Sequence, residues 1–238
     1  MLIHCDIRGL EIVTAGYLSQ DPVLMKEIVD KTDFHALNQA RFKLPSRTLA
    51  KVFVFKLLYG ATAYGYAHDP DFMWISKSEK FWQKIIDEFY DKYKGIHKWH
   101  TTIISTVTSS GQLIMPTGRI YEFKRYPNKR GEMNWPLTQI KNYPVQGLGA
   151  DLVAIGRVAL WRRVKRAGLA PILFQSTVHD SIDIDTTSEL CYNICMLAKA
   201  AIEDIPVNFE RLFGVKFNLP VTAEIGYGPN LGALTTYE

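Results

Sequence analysis

The sequence predicts an α+β fold, with strands near both ends of the chain and helices between them. The apolar run from Met1 to Ile7 has the character of a strand, and residues 171–185 alternate as two strands around a tight turn. Helical spacing of apolar residues fills most of the intervening sequence. The 238 residues are enough for one large domain or two small ones with a hydrophobic core.

The first half of the chain is predicted to be mainly helical. Asp33 is placed to cap the N-terminus of a short helix. A longer helix follows Ser46, runs from Arg47 to about residue 59 and is ended by Gly60. The next block, about 61–137, is aromatic and basic.

The second half returns to strands. The predicted elements, in chain order, are two helices within 81–110, a hairpin near 111–119, a loop-like stretch at 124–136, a helix from 148 to about 166, the two strands of 171–185, a helix over about 188–204 and a strand near 219–225. No repeat or low-complexity tract interrupts this order.

Composition excludes several classes of protein. With 47% hydrophobic and 22% charged residues the chain is neither disordered nor fibrous. No apolar run reaches the roughly 18 residues of a membrane span, no signal peptide is apparent, and three cysteines form no disulfide scaffold. The formal charge of +4 allows a polyanionic partner without requiring one. We therefore expect a soluble, cytoplasmic protein that does not use a membrane.

Four segments carry side chains of chemical interest. Asp6 ends the first strand and Asp180 lies at the tip of the 171–185 hairpin; two such aspartates, side by side in one sheet, would bind two divalent metals for phosphoryl displacement. Arg47 and Lys51, one helical turn apart, suit triphosphate oxygens.

The same helix continues with aromatic residues. Phe55 and Tyr59 extend the four-residue series and could stack on a nucleotide. Asn142 and Gln146 flank Pro144 just before a helix and could reach base or sugar edges from a minor groove. Together the set indicates templated nucleotidyl transfer. Taken singly, each element also has a plainer interpretation as a turn residue, a solvated helix face or a core aromatic.

The ordered set resembles the polymerase module of family-A DNA polymerases, the family of bacterial repair polymerases and phage replicases. The matching segments are Cys5-Asp6-Ile7-Arg8-Gly9-Leu10-Glu11, the Arg47, Lys51, Phe55, Tyr59-Gly60 series, Asn142-Tyr-Pro-Val-Gln146-Gly, Val178-His179-Asp180 and Glu224-Ile-Gly-Tyr-Gly. The Gly-Leu-Glu form of the first segment is the one that phage members favour.

The resemblance implies a role for each matching residue. Asp6, Asp180 and the backbone carbonyl of Ile7 would hold two Mg²⁺ ions, for which Mn²⁺ can substitute. Arg47 and Lys51 would hold the triphosphate, and Lys51 would also protonate the leaving pyrophosphate.

The remaining roles concern the nucleotide and the DNA. Phe55 would pack on the incoming dNTP, Tyr59 would stand by the templating base, and Glu11 would exclude a 2′-hydroxyl. Asn142 and Gln146 would read the minor groove at the primer terminus, and His179 would lie near the primer strand.

The implied fold is the right-hand polymerase fold without thumb or exonuclease: an antiparallel palm sheet plus helical fingers. We expect palm over 1–40, fingers over 41–137 and palm again over 138–238. Because the family has strands and a thumb upstream of its first motif, strand 1–7 is expected to be an exposed edge. A second polypeptide would then supply the upstream strands, the thumb and a 3′–5′ exonuclease.

Departures from the family pattern qualify these expectations. Ser181 stands where most members have Glu, so the role of that carboxylate is lost or moved to Asp183, although Asp183 and Asp185 are more simply polar residues at a strand edge. The basic loop 124–130 either contacts template or primer phosphates or is a surface loop.

Two other functions compete with a DNA polymerase. A single-subunit RNA polymerase shares the same logic and accommodates His179-Asp180-Ser181, but Glu11 would fill the space that a 2′-hydroxyl needs. A non-catalytic DNA-binding remnant is the other alternative, against which the retention of both aspartates and of the Arg47–Tyr59 series argues.

Overall fold

The computed structural model describes residues 1–128 and 130–237; Lys129, in the basic loop, and Glu238 lie outside the described residues. The helices are α1 (Leu10–Ser19), α2 (Pro22–Val29), α3 (Phe34–Phe42), α4 (Arg47–Leu58), α5 (Ala63–His68), α6 (Glu79–Lys92), α7 (Lys94–Ser110), α8 (Leu137–Arg166), α9 (Ser188–Glu203) and α10 (Ile205–Phe213). The strands are β1 (Leu2–Ile7), β2 (Gln112–Ile114), β3 (Ile120–Glu122), β4 (Tyr126–Pro127), β5 (Met133–Asn134), β6 (Ile172–Val178), β7 (Ser181–Thr186), β8 (Ala223–Gly228) and β9 (Thr235–Thr236). No helix in these described ranges is long and apolar enough to cross a membrane.

The chain divides into two compact units, Met1–Thr14 with Gln146–Glu238 and Ala15–Val145. The boundaries expected from the sequence, after residues 40 and 137, differ from these. Helices α2 and α3 belong with the helical unit because polar contacts tie them to it. Asn38 Nδ2 donates to the Tyr93 hydroxyl (3.1 Å), and the Gly95 amide donates to Asp21 Oδ2 (2.6 Å).

The sheet-containing unit, Met1–Thr14 with Gln146–Glu238, is built on an antiparallel sheet in the order β6-β7-β1-β8-β9. Strand β1 pairs with β7 on one side and with β8 on the other. The expectation that residues 1–7 form an exposed edge is therefore wrong. Two strands from the far end of the sequence satisfy its backbone groups, so the edges of the sheet are β6 and β9.

Alternation along β1 separates a core face from a polar face. Ile3, Cys5 and Ile7 are buried, and α9 packs against β1 and β8. The intervening residues, His4 and Asp6, are half-buried and lie on the opposite face. The sheet thus buries apolar side chains on one face and carries titratable groups on the other.

The helical unit, residues 15–145, has an aromatic core. Phe53 packs on Tyr66 with ring centroids 4.8 Å apart, and Trp82 lies 5.4 Å from Tyr66 and 5.5 Å from Phe72. The Tyr66 hydroxyl donates to the Phe53 carbonyl at 2.7 Å, so the buried phenol is satisfied. This core fixes one face of α4 and leaves the other face available.

Helix α8 begins eleven residues earlier than the sequence predicted, at Leu137 instead of 148, and Pro144 lies inside it. The expectation that Asn142 and Gln146 lie just before this helix is therefore wrong. A proline within a helix removes a hydrogen bond and costs about 3 kcal/mol. Here that cost is offset by burial on both sides of the proline, where Ile140 and Val145 are fully buried.

Three smaller differences concern short elements. The loop-like stretch 124–136 contains the two-residue strands β4 and β5, which Asn128 Oδ1 supports by accepting the amides of Arg130 and Glu132. Helix α10 was not predicted, because only one residue separates it from the end of α9. The last predicted strand begins later, at Ala223.

Candidate active site

The predicted aspartates lie at one end of the central strands of the sheet. Asp6 is opposite Ser181 of β7 and opposite Glu224 of β8. Asp180 occupies the turn between β6 and β7, and its carbonyl accepts the Ile7 amide at 3.2 Å. The fold therefore assembles three carboxylates, Asp6, Asp180 and Glu224, from segments that are distant in sequence.

The surroundings of Asp6 in this carboxylate cluster are unfavourable to its ionisation. Burial is the largest cause that raises the pKa of Asp6 to about 6, and the negative charges of Asp180 and Glu224 raise it further. The neighbouring His4 and the Ile7 amide act in the opposite direction. Glu224 has one cationic partner, with its Oε1 3.3 Å from Arg8 Nε. A divalent cation would offset the remaining repulsion around Asp6.

The residues present fit Mg²⁺. Asp6, Asp180 and the carbonyl of Ile7 offer oxygen ligands, the type that this ion prefers. No group of three or more His, Cys, Asp or Glu side chains in residues 1–128 and 130–237 has a geometry that could hold a metal by itself.

The turn that carries Asp180 has a strained backbone. His179 is exposed and has a φ of 52°, in the left-handed region that costs a non-glycine residue about 1 kcal/mol or more. Pairing of Val178 with Ser181 closes the hairpin around it. This pairing holds the half-buried Asp180 beside β1.

The sequence suggested that Asp183 either replaces the missing carboxylate of the cluster or is a polar residue at a strand edge. The structure shows neither arrangement. Asp183 is buried on β7, between β6 and β1. Its Oδ1 accepts from His4 Nδ1 (2.7 Å) and its Oδ2 accepts from Ser176 Oγ (2.6 Å). Ser181, in place of the family glutamate, is buried and donates to the Val178 carbonyl at 3.0 Å. Asp185 is more exposed than Asp183, and its Oδ1 accepts a hydrogen bond from the N-terminal amine.

Glu11 lies in the first turn of α1, which follows β1 after a sharp change of direction. Gly9, with a φ of 58°, makes this change, and its carbonyl accepts the amides of Ile12 and Val13. The Glu11 side chain is half-buried in the same unit as Asp6.

Helix α4 displays the predicted series along one face. Ser46 caps its N-terminus by accepting the Leu49 amide at 3.1 Å. Arg47 and Lys51 are exposed, and Phe55 and Tyr59 are half-buried with their rings near parallel and 6.4 Å apart. The opposite face buries Ala50, Phe53, Val54, Leu57 and Leu58. The four-residue spacing thus produces a cationic and aromatic face.

Two neighbouring residues define the charge on this α4 face. Arg47 Nε donates to both carboxylate oxygens of Asp33 (3.1 and 2.8 Å), and this hydrogen bond holds the pKa of Asp33 below its usual range. Burial lowers the pKa of His35 to about 4, and Arg47 and Lys51 lower it further. His35 is therefore neutral at pH 7, with its ring 5.5 Å from Phe55.

Asn142 and Gln146 lie one turn apart within α8 instead of before it. Gln146 is exposed. Asn142 Oδ1 is a buried acceptor without a hydrogen-bond partner in the part of the chain that the structure describes. Such a group costs free energy unless another molecule supplies a donor.

Comparison with known proteins identifies the family. The sequence profile described as DNA polymerase family A matches residues 1–233. The chain belongs to this family. Among similar curated proteins, DNA polymerase I of Deinococcus radiodurans is 23% identical, with 96% of this chain and 23% of that protein covered. DNA polymerase I of Pseudomonas aeruginosa is 25% identical, with 90% and 24% covered, and the DNA polymerase of Bacillus phage SP01 is 23% identical, with 78% and 20% covered.

The family-A fold is also seen in a solved structure. The POL domain of Pol1 from M. smegmatis, in complex with DNA primer-template and dNTP, matches with a TM-score of 0.79 at 18% identity, covering 95% of this chain and 39% of that chain. The likeness shows that this chain has the fold of part of a POL domain. It spans about a quarter of the length of the first curated relatives that it matches.

The structure also adds residues that sequence reasoning missed. Glu224 joins the two aspartates through the register of β8, Asp33 binds Arg47, and His4 pairs with Asp183. The signal for Glu224 was a charged residue in a predicted strand. The sequence indicated Asp33 only as a helix cap. In the structure the same carboxylate caps α3, by accepting the Ala36 amide, and also binds Arg47.

Proposed function

We propose that this chain carries the catalytic part of a template-directed DNA polymerase that adds dNTPs to a primer 3′-hydroxyl. The observation that carries the proposal is the assembly of Asp6 and Asp180 at one end of the sheet, in a chain that belongs to DNA polymerase family A. The similar POL domain is described in complex with primer-template and dNTP. The proposed substrates of this chain are the same two classes of molecule.

In this proposal the carboxylate cluster is the metal site. Asp6, Asp180 and the carbonyl of Ile7 would hold two Mg²⁺ ions, or Mn²⁺ in their place. When bound, the ions supply positive charge to the attacking and leaving oxygens of an in-line displacement. The raised pKa of Asp6 supports this assignment, because burial and the neighbouring anions destabilise its charged form and so favour binding of a cation.

Helix α4 would bind the nucleotide. Arg47 and Lys51 would hold the triphosphate through charge-assisted hydrogen bonds, and Lys51 would donate a proton to the leaving pyrophosphate. Phe55 would pack on the sugar and base of the dNTP, and Tyr59 would contact the templating base. The exposure of Arg47 and Lys51 and the near-parallel, half-buried rings of Phe55 and Tyr59 support this assignment.

The remaining residues would select the sugar and position the DNA. Glu11 would exclude nucleotides with a 2′-hydroxyl, Asn142 and Gln146 would contact the minor groove at the primer terminus, and His179 would contact the primer strand. The buried, unpaired Oδ1 of Asn142 supports a contact with a donor from outside the protein. In family terms, the sheet-containing unit would be the palm and the helical unit the fingers.

We also propose that a second polypeptide supplies the thumb, further strands of the palm and a 3′–5′ exonuclease. The free edge of β6 supports this proposal in place of the β1 edge expected from the sequence. Strand β6 has seven residues, ends the sheet among the described residues, and exposes Leu173 and Val178 by 59% and 51%. Long, exposed edge strands are suited to pairing with another chain.

Primer extension tests the proposed function directly. The purified chain would be assayed with a labelled primer-template, Mg²⁺ and either dNTPs or rNTPs, with and without the product of the adjacent upstream gene. We expect template-dependent dNTP addition that is absent in Asp180→Asn, and more rNTP addition by Glu11→Ala. Preferential rNTP addition by the unaltered chain would favour an RNA polymerase, and DNA binding without extension in either condition would favour a non-catalytic protein.

A further inference from the structure

The second half of α8 and helix α10 form a groove within the sheet-containing unit. The two helices approach closely at Gly156, where an added Cβ would lie 3.1 Å from Ile205 Cδ1. The same helices line a cavity of about 400 Å³, a size typical of binding pockets. None of the residues assigned above to metal, nucleotide or DNA lines this α8–α10 groove.

The α8–α10 groove has an apolar floor. Ala154, Ile155 and Val158 of α8 and Leu212 and Phe213 of α10 line it. Val158 and Leu212 are 42% and 55% exposed, whereas Ile155 beside them is buried. Exposed aliphatic side chains that share a concave surface are typical of an interaction site.

The rim of the groove is strongly basic. Four arginines line it, Arg162, Arg163, Arg166 and Arg211, together with a single carboxylate, Asp151. Arg163 is paired with Asp204, and Arg211 donates to Asn208 Oδ1 at 3.0 Å. Arg162 and Arg166 have no carboxylate partner in residues 1–128 and 130–237. They are therefore the cations available to a ligand.

Along α8, the apolar residues of the groove come before the basic ones. Ala154, Val158, Arg162 and Arg166 follow at four-residue intervals, so one row of the helix changes from apolar to basic along the groove. Basic residues near a helix C-terminus are favoured by the helix dipole. The dipole explains the positions of the arginines but gives no reason for exposed apolar residues beside them.

We propose that the α8–α10 groove binds an acidic, amphipathic helical segment of a partner polypeptide. Its apolar side chains would occupy the floor between Val158 and Leu212, and its Asp or Glu residues would pair with Arg162 and Arg166. Recognition of an amphipathic helix in a hydrophobic groove is a common mode of peptide binding. The apolar floor favours a protein ligand over a nucleic acid, whose interfaces are more polar. This inference is independent of the proposed polymerase activity.

Binding of defined peptides tests the proposal. The probe is a fluorescein-labelled helical peptide of 16 residues with leucines on one face and glutamates elsewhere, titrated with the full chain and followed by anisotropy. One control peptide has the same composition in a scrambled order, and another has lysine in place of glutamate. We expect a Kd below about 100 μM for the acidic amphipathic peptide and binding at least about tenfold weaker for both controls.

Variants of the chain locate the site. Arg162→Glu combined with Arg166→Glu should weaken binding at least about tenfold, and Leu212→Ala should weaken it several-fold. The control is Lys165→Glu, which makes the same charge change per residue on the same helix outside the groove and should leave binding within about twofold. Far-UV circular dichroism and thermal unfolding would verify that each variant is folded.

The alternative outcomes are distinct. Equal binding of the scrambled peptide, or an equal effect of Lys165→Glu and the double arginine variant, would overturn the proposal. A single-stranded or duplex oligonucleotide that loses affinity in the double arginine variant, while the acidic peptide does not bind, would identify a nucleic-acid surface and also overturn it.

Discussion

The carboxylate cluster on the sheet and the cationic face of α4 carry opposite charges and are stabilised in opposite ways. Asp6 is half-buried among like charges, and its pKa is raised to about 6. Arg47 is exposed and already bonded to a carboxylate, Asp33. Ionisation of Asp6 therefore opposes folding, whereas the exposed ion pair on the α4 face carries little such cost. A fold can therefore present a charged surface either by holding like charges close together or by pairing a charge with an opposite one.

The two regions also differ in how the chain forms them. The α4 face depends on the four-residue spacing of one helix, whereas the cluster depends on pairing between Asp6 and Ser181 and between Asp6 and Glu224, residues far apart in sequence. Substitutions should consequently act differently in the two regions. A change in the cluster should affect chemistry and stability in opposite directions, and a change on α4 should affect mainly nucleotide affinity.

The largest effect is expected for removal of a charge from the cluster. Asp180→Asn should reduce the rate of primer extension by at least about 10³-fold, because the proposed metal site loses a charged ligand. Single-turnover extension at saturating dNTP measures this rate. The control is Asp185→Asn on the same sheet, since Asp185 is exposed and bonded to the N-terminal amine. A comparable loss in Asp185→Asn would show that general sheet electrostatics, not the cluster, determine activity.

A smaller effect is expected on the α4 face. Arg47→Ala and Lys51→Ala should each raise the KM for dNTP about 10- to 100-fold, the loss of one charge-assisted contact to phosphate. Steady-state extension over a range of dNTP concentrations measures it. Lys56→Ala is the matched control on the same helix, because Lys56 is engaged with Asp69. Unchanged KM in both face variants would separate α4 from nucleotide binding.

The contrast between local spacing and long-range strand pairing also determines which features the sequence could predict. The α4 face, the Asp33 and Ser46 caps and the hairpin at Asp180 follow from local spacing and turn chemistry, and the structure contains all of them. The central position of β1 could not be read in this way, because it depends on two pairings with strands from the far end of the chain.

Long-range packing also explains the other differences. Local rules place a boundary at Pro144, but burial of Ile140 and Val145 keeps α8 continuous. Asp183 appeared to be an ordinary polar residue until pairing placed His4 and Ser176 against its two oxygens. The structure brings Asp6 and Asp180 to one end of the sheet as predicted, whereas the raised pKa of Asp6 depends on burial and neighbouring carboxylates that local sequence does not reveal.

A stability effect of the opposite sign is expected for Asp6→Asn. The folded-state pKa of Asp6, about 6, exceeds the ordinary value of 3.8, so wild-type stability falls as pH rises between these values. Asn removes the penalty and should stabilise the fold by about 1–2 kcal/mol above pH 7, a figure reduced for solvent screening. Urea unfolding in EDTA at pH 8 and pH 4 measures the difference, which should vanish at the lower pH. Equal or lower stability of the variant at pH 8 would contradict the charge repulsion inferred for the cluster.

Adding Mg²⁺ should reverse this stability difference. A cation that binds only the folded protein stabilises it by RT ln(1 + L/Kd), where L is the free cation concentration. Wild-type protein should gain thermal stability with millimolar Mg²⁺ at pH 8, and Asp6→Asn should gain less. Equal gains in both proteins would place the cation elsewhere.

The smallest effect concerns the carboxylate that already occupies the cationic face. Asp33→Asn should lower the KM for dNTP about two- to threefold, because Arg47 is released from a surface ion pair worth at most about 1 kcal/mol.

Asparagine still caps α3, whereas Asp33→Ala loses the bond to the Ala36 amide and should cost about 1 kcal/mol more in unfolding free energy. The stability that Asp33 gains from Arg47 is present at neutral pH and is lost as pH falls through its lowered pKa, so wild type and Asp33→Asn should converge in stability at low pH. Nucleotide titrations at pH 7.5, paired with urea unfolding at pH 7.5 and pH 2.5, measure both effects. A higher KM in Asp33→Asn would show that Asp33 orients Arg47 for the triphosphate instead of competing with it.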